Sequence, residues 1–223
     1  MLTPDEIRTN YAAVVARIDA ACRRATRRTD EVTLVAVSKT FPAETVTAVI
    51  AAGATDVGEN RVQEARDKKP VARGSARWHL IGHLQSNKAR EAVRTFDVIQ
   101  TIDSVSLAER VAKAAAAEGK RIEVMLEVNI GREPQKTGAD PESVDALARD
   151  VAKIDSLHLI GLMTIPPQTE EAAARAYFRE LRSMRDRLGL RALSMGMTDD
   201  FEMAIEEGAT IVRVGRAIFG ARG

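Results

Sequence analysis

Eight times along this chain a short apolar, β-branched run is followed by a segment with helical periodicity, and that alternation dictates most of what the sequence can fold into. The runs fall near 32–37, 55–58, 77–81, 97–101, 122–129, 157–163, 191–196 and 210–214. Between them, spacings of three and four put apolar side chains on one helical face, as in Val46/Val49/Ile50, Leu107/Val111/Ala114 and Val144/Leu147/Val151/Ile154. Gly53, Gly119, Gly189 and Gly208 stand where helices should stop, and Asp140-Pro141 where one should begin. Strands separated by helices pair in parallel through right-handed crossovers. Eight of them favour a closed α/β barrel of the (β/α)8, TIM type over an open doubly wound sheet.

An extra helix precedes the first strand. It opens on Thr3-Pro4-Asp5-Glu6, with Thr3 as N-cap, proline at the first helical position and Glu6 three residues after the cap. It closes on Arg23, Arg24, Arg27 and Arg28, cations that suit the negative end of the helix dipole. The echo of Gly53-Ala54-Thr55-Asp56 in Gly208-Ala209-Thr210-Ile211 marks equivalent helix-to-strand joints. With no linker and no low-complexity tract, residues 1–223 are expected to form one domain, only Gly215 to Gly223 following the last strand.

Several function classes recede on composition. A formal net charge of +1 gives no electrostatic case for nucleic acid or an anionic membrane. No apolar run is long enough to cross a bilayer, and the N-terminus has no signal-peptide core, so a cytoplasmic protein is expected. Cys22 is the single cysteine, which excludes an internal disulfide. It shares an apolar stripe with Ile7, Tyr11, Val14 and Ile18, as a small core residue would.

In a barrel of this kind chemistry sits where strands end. Those ends carry Ser38-Lys39, Glu59-Asn60-Arg61, His79 through His83, Thr101 to Asp103, Asn129 with a loop to Lys136, Thr164, Ser194 to Thr198, and Arg213 to Arg216. Only eight of 33 basic residues are lysines, so Lys39 at the first strand end stands out. Position alone suits a lysine reaching water. A partly desolvated lysine can also lose its proton and attack a carbonyl, which arginine cannot do. Asn60 fits a helix cap as well as a ligand contact, and His79 a hydrogen-bonded strand end as well as an acid or base.

Arg213 interrupts the apolar run Thr210 to Val214, and a buried guanidinium needs an acceptor, either a carboxylate such as Glu127 or a ligand atom. Gly196 and Gly215-Arg216 follow strands seven and eight, where barrels often hold phosphate on backbone N–H groups; Asp199 and Asp200 would repel it, or instead stabilise the start of helix eight. A lysine after strand one, an arginine in strand eight and two phosphate turns together suggest pyridoxal 5′-phosphate (PLP). A Schiff-base aldolase acting on a sugar phosphate is the other chemistry these residues permit.

The chain resembles the pyridoxal phosphate homeostasis protein family over essentially its whole length. The resemblance is carried by Ala36-Val37-Ser38-Lys39-Thr40, Gly58-Glu59-Asn60-Arg61-Val62-Gln63-Glu64, and Trp78 through Lys88. Val128-Asn129-Ile130, Gly161 to Ile165, Leu193 to Met197 and Val212-Arg213-Val214-Gly215 complete it. It implies a barrel like the N-terminal domain of alanine racemase, with PLP bound covalently to Lys39. It also implies phosphate contacts from Ser194, Gly196, Thr198 and the Gly215-Arg216 backbone, Arg213 beside the pyridine nitrogen, and Asn60 and Met195 near the ring. Arg216 stands where many members have threonine, and Thr198 where serine is frequent.

Members of that family keep cofactor and amino-acid pools in balance with no established reaction. A racemase of the related barrel type takes a second base, a tyrosine, from another domain. Here Tyr11 and Tyr177 both fall on helix faces away from the strand ends. The expectation is therefore a monomeric cytoplasmic PLP carrier with no catalytic residues and no metal, PLP-dependent apo-enzymes being its recipients. A racemase-like enzyme is the alternative.

Overall fold

A computed structural model of the chain describes residues 2–221, and within them the eight runs close into a parallel barrel in sequence order. The strands are β1 (Thr33–Val37), β2 (Asp56–Glu59), β3 (Arg77–Leu80), β4 (Val98–Ile102), β5 (Ile122–Glu127), β6 (Leu157–Met163), β7 (Ala192–Ser194) and β8 (Ile211–Val214). Around them lie α2 (Ala43–Ala51), α3 (Val62–Lys68), α4 (Ala89–Thr95), α5 (Val105–Ala117), α6 (Val144–Ala152), α7 (Glu171–Arg187), α8 (Phe201–Glu206) and a short α9 (Arg216–Phe219), with α1 (Pro4–Arg24) leading the chain. Closure is made by β8 against β1, which sets Val35 beside Arg213 and Ala36 beside Val214.

Because strand side chains alternate, each strand feeds two cores. Val35, Val37, Ile81, Val98, Met125, Met163 and Ile211 pack inside the barrel. Ala36, Val57, Leu80, Val124, Leu162 and Val212 pack outward with the helix stripes Val46/Val49, Leu107/Val111 and Val144/Leu147/Val151. The interior parity that carries Val35 and Val37 carries Lys39 next, so the end of β1 aims it at the mouth of the barrel.

Thr3 and Glu6 form the expected capping box on α1, and Cys22 is buried on its stripe. The arginine cluster divides differently from the sequence reading. Helix α1 stops at Arg24 and the chain turns at Thr26, φ 54°, so Arg27 and Arg28 lie beyond the helix. Arg27 Nη1 instead donates to the carbonyls of Ile205 (2.9 Å) and Ala209 (2.7 Å), closing the C-terminal end of α8. The fifth strand ends two residues early. After Glu127 the chain bridges to its own loop, Ala139 N–H donating to the Glu127 carbonyl and Asn129 N–H to that of Ala139. Gly53 and Gly208, at φ 106° and 102°, make the two matching joints foreseen in the echo.

Candidate functional site

A cavity of about 490 Å³ opens at the C-terminal mouth of the barrel. Val37 and Ile81, from the interior core, contribute to its lining. Lys39, Asn60, Thr198, Arg213, Gly215 and Arg216 also line it, so six of the nine expected site residues converge from β1, β2, β7 and β8.

Lys39 is half-buried and rides on a tight turn. Phe41 N–H donates to the Ser38 carbonyl at 3.1 Å, and Thr40 takes φ 70°, unusual for a β-branched residue. Glu64 holds that strained residue by accepting from Thr40 N–H at 2.8 Å. Beneath the turn, Ser38 Oγ donates to Glu59 Oε1 (2.7 Å), which also receives Lys68 Nζ at 2.7 Å. Burial pushes the Glu59 carboxyl up, opposed by hydrogen bonds from Lys68 and Ser38. The turn that carries Lys39 thus rests on a buried ionic footing.

Across the mouth, Arg213 is 4% exposed. Its Nη1 donates to Ser194 Oγ at 2.6 Å and its Nη2 to the Thr164 carbonyl at 2.7 Å. Among the described residues no carboxylate pairs with it within 4.0 Å. Glu127, the partner considered from sequence, accepts from Thr137 Oγ1 instead. Burial lowers the guanidinium pKa to about 10, partly offset by Asp200 and Glu127 at longer range. A guanidinium held only by neutral acceptors at a cavity wall is an incomplete ion pair.

The two aspartates that argued against phosphate are turned to other work. Asp200 Oδ1 accepts from Met197 N–H at 2.6 Å, and Asp199 pairs with Arg216. The cavity is left with Lys39, Arg213 and Arg216 against Asp199 among its charged lining residues, an excess of positive charge. Gly215 permits a close approach, since a Cβ there would meet the Val37 carbonyl oxygen at 2.9 Å. Gly82 does the same on the facing side, where a Cβ would sit 2.4 Å from the Asn60 carbonyl oxygen. Asn60, at that contact, lines the cavity.

Ser194, Met195 and Gly196 do not line the cavity. Ser194 faces the interior one layer down, under Arg213, and the next residue, Met195, packs into the outer core with the helices. Gly196 forms the turn, φ 92°, that carries Met197 and Thr198 to the mouth. Phe41, Ile165, Gln168 and Met197 also line it and were not singled out by the sequence reading. No sequence signal marked their direction; Ile165, just past the end of β6, is 42% exposed in the structure. Lys136 pairs with Glu133, Tyr11 and Tyr177 pack against the outer core, and none of the three lines the cavity. His79 is buried between Asp56 and Gln100, a hydrogen-bonded residue of the barrel interior.

Comparison with known proteins bears on the family of the chain. Residues 10–223 match the family described as alanine racemase, N-terminal domain. A pyridoxal phosphate homeostasis protein of Pseudomonas aeruginosa is 45% identical over 217 residues, covering 96% of this chain and 94% of that protein. The structure of PipY from Synechococcus elongatus with PLP bound is 38% identical with a TM-score of 0.81, over 92% of this chain and 100% of that one. Alanine racemase of Clostridium difficile shares the fold alone, at 14% identity and a TM-score of 0.78 over 57% of its length. Family model, identity and coverage coincide on one conclusion: this chain belongs to the pyridoxal phosphate homeostasis protein family and carries the barrel of the alanine racemase N-terminal domain.

Proposed function

We propose that the cavity binds PLP as a Schiff base on Lys39 and that the protein holds the cofactor for delivery to PLP-dependent apo-enzymes. The observation that carries this reading is the convergence of Lys39 from β1 and Arg213 from β8 on one cavity with excess positive charge. Residues 1–223 act as one unit in this reading, a monomer in the cytoplasm. No helix of the described residues is long and apolar enough to cross a membrane.

When bound, PLP supplies an aldehyde that condenses with primary amines, and a pyridine ring that can withdraw electrons. The chain's own groups do the rest. Lys39 provides the amine, and its turn is fixed by Ser38, Glu59 and Lys68. Thr198 Oγ and the N–H groups opening α9 at Gly215-Arg216 are suited to phosphate oxygens, with Gly196 shaping the turn. Arg216, already drawn to Asp199, adds charge at the rim in place of a hydroxyl. Arg213 would hold the pyridine nitrogen with an N–H donor, and a guanidinium there would disfavour protonation of that nitrogen. Ser194 supports Arg213 from below. Asn60 would contact the ring, and Met195, whose side chain packs in the outer core, would contribute only through its backbone.

A PLP-dependent enzyme related to racemases remains the competing reading, and it needs a second base facing the cavity. Incubation with L-amino acids in deuterated water separates the two. The carrier reading expects no sustained exchange at the α-carbon, and steady exchange or appearance of the D-enantiomer would overturn it.

A further inference from the structure

An unbroken line of hydrogen bonds crosses the barrel interior from β2 to β8. His79 Nε2 lies 2.8 Å from Asp56 Oδ1, and His79 Nδ1 lies 2.9 Å from Gln100 Nε2. Ser194 Oγ donates to Gln100 Oε1 at 2.7 Å and receives Arg213 Nη1 at 2.6 Å. All five side chains are between 0% and 5% exposed, amid the apolar cluster of Val35, Val98, Met125 and Ile211. Burying five polar side chains in such a place is costly unless every member is satisfied.

The line has a direction. A guanidinium can only donate, so Ser194 must offer Arg213 a lone pair and point its O–H at Gln100. Gln100 then accepts with its carbonyl and turns its NH2 toward His79, which fixes Nδ1 as the bare nitrogen. The remaining proton of a neutral His79 belongs on Nε2 and donates to Asp56. Burial raises the Asp56 carboxyl, but hydrogen bonds from His79 and Thr55 bring it below its ordinary value, consistent with a carboxylate terminus.

We propose that Asp56, His79, Gln100 and Ser194 are positioning residues for Arg213, a directional relay that orients the guanidinium at the cofactor cavity from the opposite mouth of the barrel. Asp56 and His79 line a second cavity of about 360 Å³ there, with Arg77, Glu123 and Arg191. Because Arg213 can only donate, the direction is set at its end, and each member back to Asp56 helps hold the Ser194 lone pair that Arg213 meets. Mutual satisfaction of buried groups, with no directional coupling, is the simpler role that the test must separate.

Nitrogen-15 NMR of the histidine-labelled apo-protein reads the tautomer of His79 directly. The relay expects His79 to be neutral with its proton on Nε2. Ser194→Ala, at the far end, should shift its Nδ1 resonance by releasing the Gln100 amide, and Ser194→Thr should restore it. A wild-type proton on Nδ1, or an Nδ1 resonance indifferent to Ser194→Ala in the folded variant, would overturn the relay. Asp56→Asn is the second variant, should Ser194→Ala not fold. It keeps an oxygen acceptor for the Nε2–H, so the His79 proton should stay on Nε2 while loss of the carboxylate shifts the visible absorption maximum of the PLP-loaded protein, and a proton moved to Nδ1 would overturn the relay. The absorption readout rests on PLP binding as proposed above, whereas the apo-protein spectra do not, so a failure of either idea is seen separately.

Discussion

Lys68 Nζ stands 2.7 Å from Glu59 Oε1 and 3.0 Å from the Ser38 carbonyl oxygen, so a buried ion pair is fastened to the residue just before Lys39. The Lys68 side chain is 11% exposed and that of Glu59 0%, and the second Glu59 oxygen has no hydrogen-bond partner. Removing one member of such a pair strands the other in the barrel wall.

Lys68→Met is therefore expected to destabilise the fold by about 3–5 kcal/mol, the usual cost of orphaning a buried charge. The double variant Glu59→Gln/Lys68→Met should recover part of that loss. Urea midpoints of the wild type, both single variants and the double variant check it, and additive losses would mean the pair is not coupled.

Glu127 gives a pH test with a definite sign. Burial raises its carboxyl, and its Oε2 has no partner. A folded-state pKa above the unfolded one contributes stability that is fully present below the ordinary carboxylate range and is lost as pH rises through the raised value. Glu127→Gln retains an acceptor for Thr137 and carries no charge. It should gain on the wild type at pH 8 and lose that advantage as the pH falls toward 4, in denaturant midpoints taken across the range.

Gly82→Ala places a methyl group 2.4 Å from the Asn60 carbonyl oxygen and 2.8 Å from its Cα, both backbone atoms that cannot swing aside. Overpacking of this kind costs about 1–3 kcal/mol. A lowered melting temperature together with weaker PLP binding is the expected result. An unaltered affinity would show that Asn60 does not shape the cavity.

Arg27→Ala removes two charged hydrogen bonds to the end of α8, and Arg27 is not among the cavity-lining residues. A loss of about 2 kcal/mol in thermal or urea unfolding is expected. Binding of PLP should be unchanged.

The barrel was legible because its signals are local and repeated. Period-two runs, helical stripes and terminal glycines such as Gly53 and Gly208 agree with one another along the chain. Lys39 and Arg213 were legible for a related reason: each interrupts a strand pattern whose inward parity can be counted from Val35 and Ile211. The same parity sets Ser194 one layer lower and turns Met195 outward, a distinction that family blocks alone do not make. Phe41, Ile165 and Gln168 were not legible, since side-chain direction in a loop follows no period. Nor was Arg27, whose acceptors at Ile205 and Ala209 lie about 180 positions away in sequence. The Asp56-to-Arg213 line is likewise visible only once five strands are wrapped together.

Lys39 is the proposed covalent anchor for PLP. Reduction of the PLP-loaded protein with borohydride, followed by proteolysis and peptide mass mapping, tests it most directly. One pyridoxyl adduct on the peptide containing Lys39, absent from Lys39→Arg, is the expected result. An adduct confined to another lysine, such as Lys68 or Lys136, would contradict the claim.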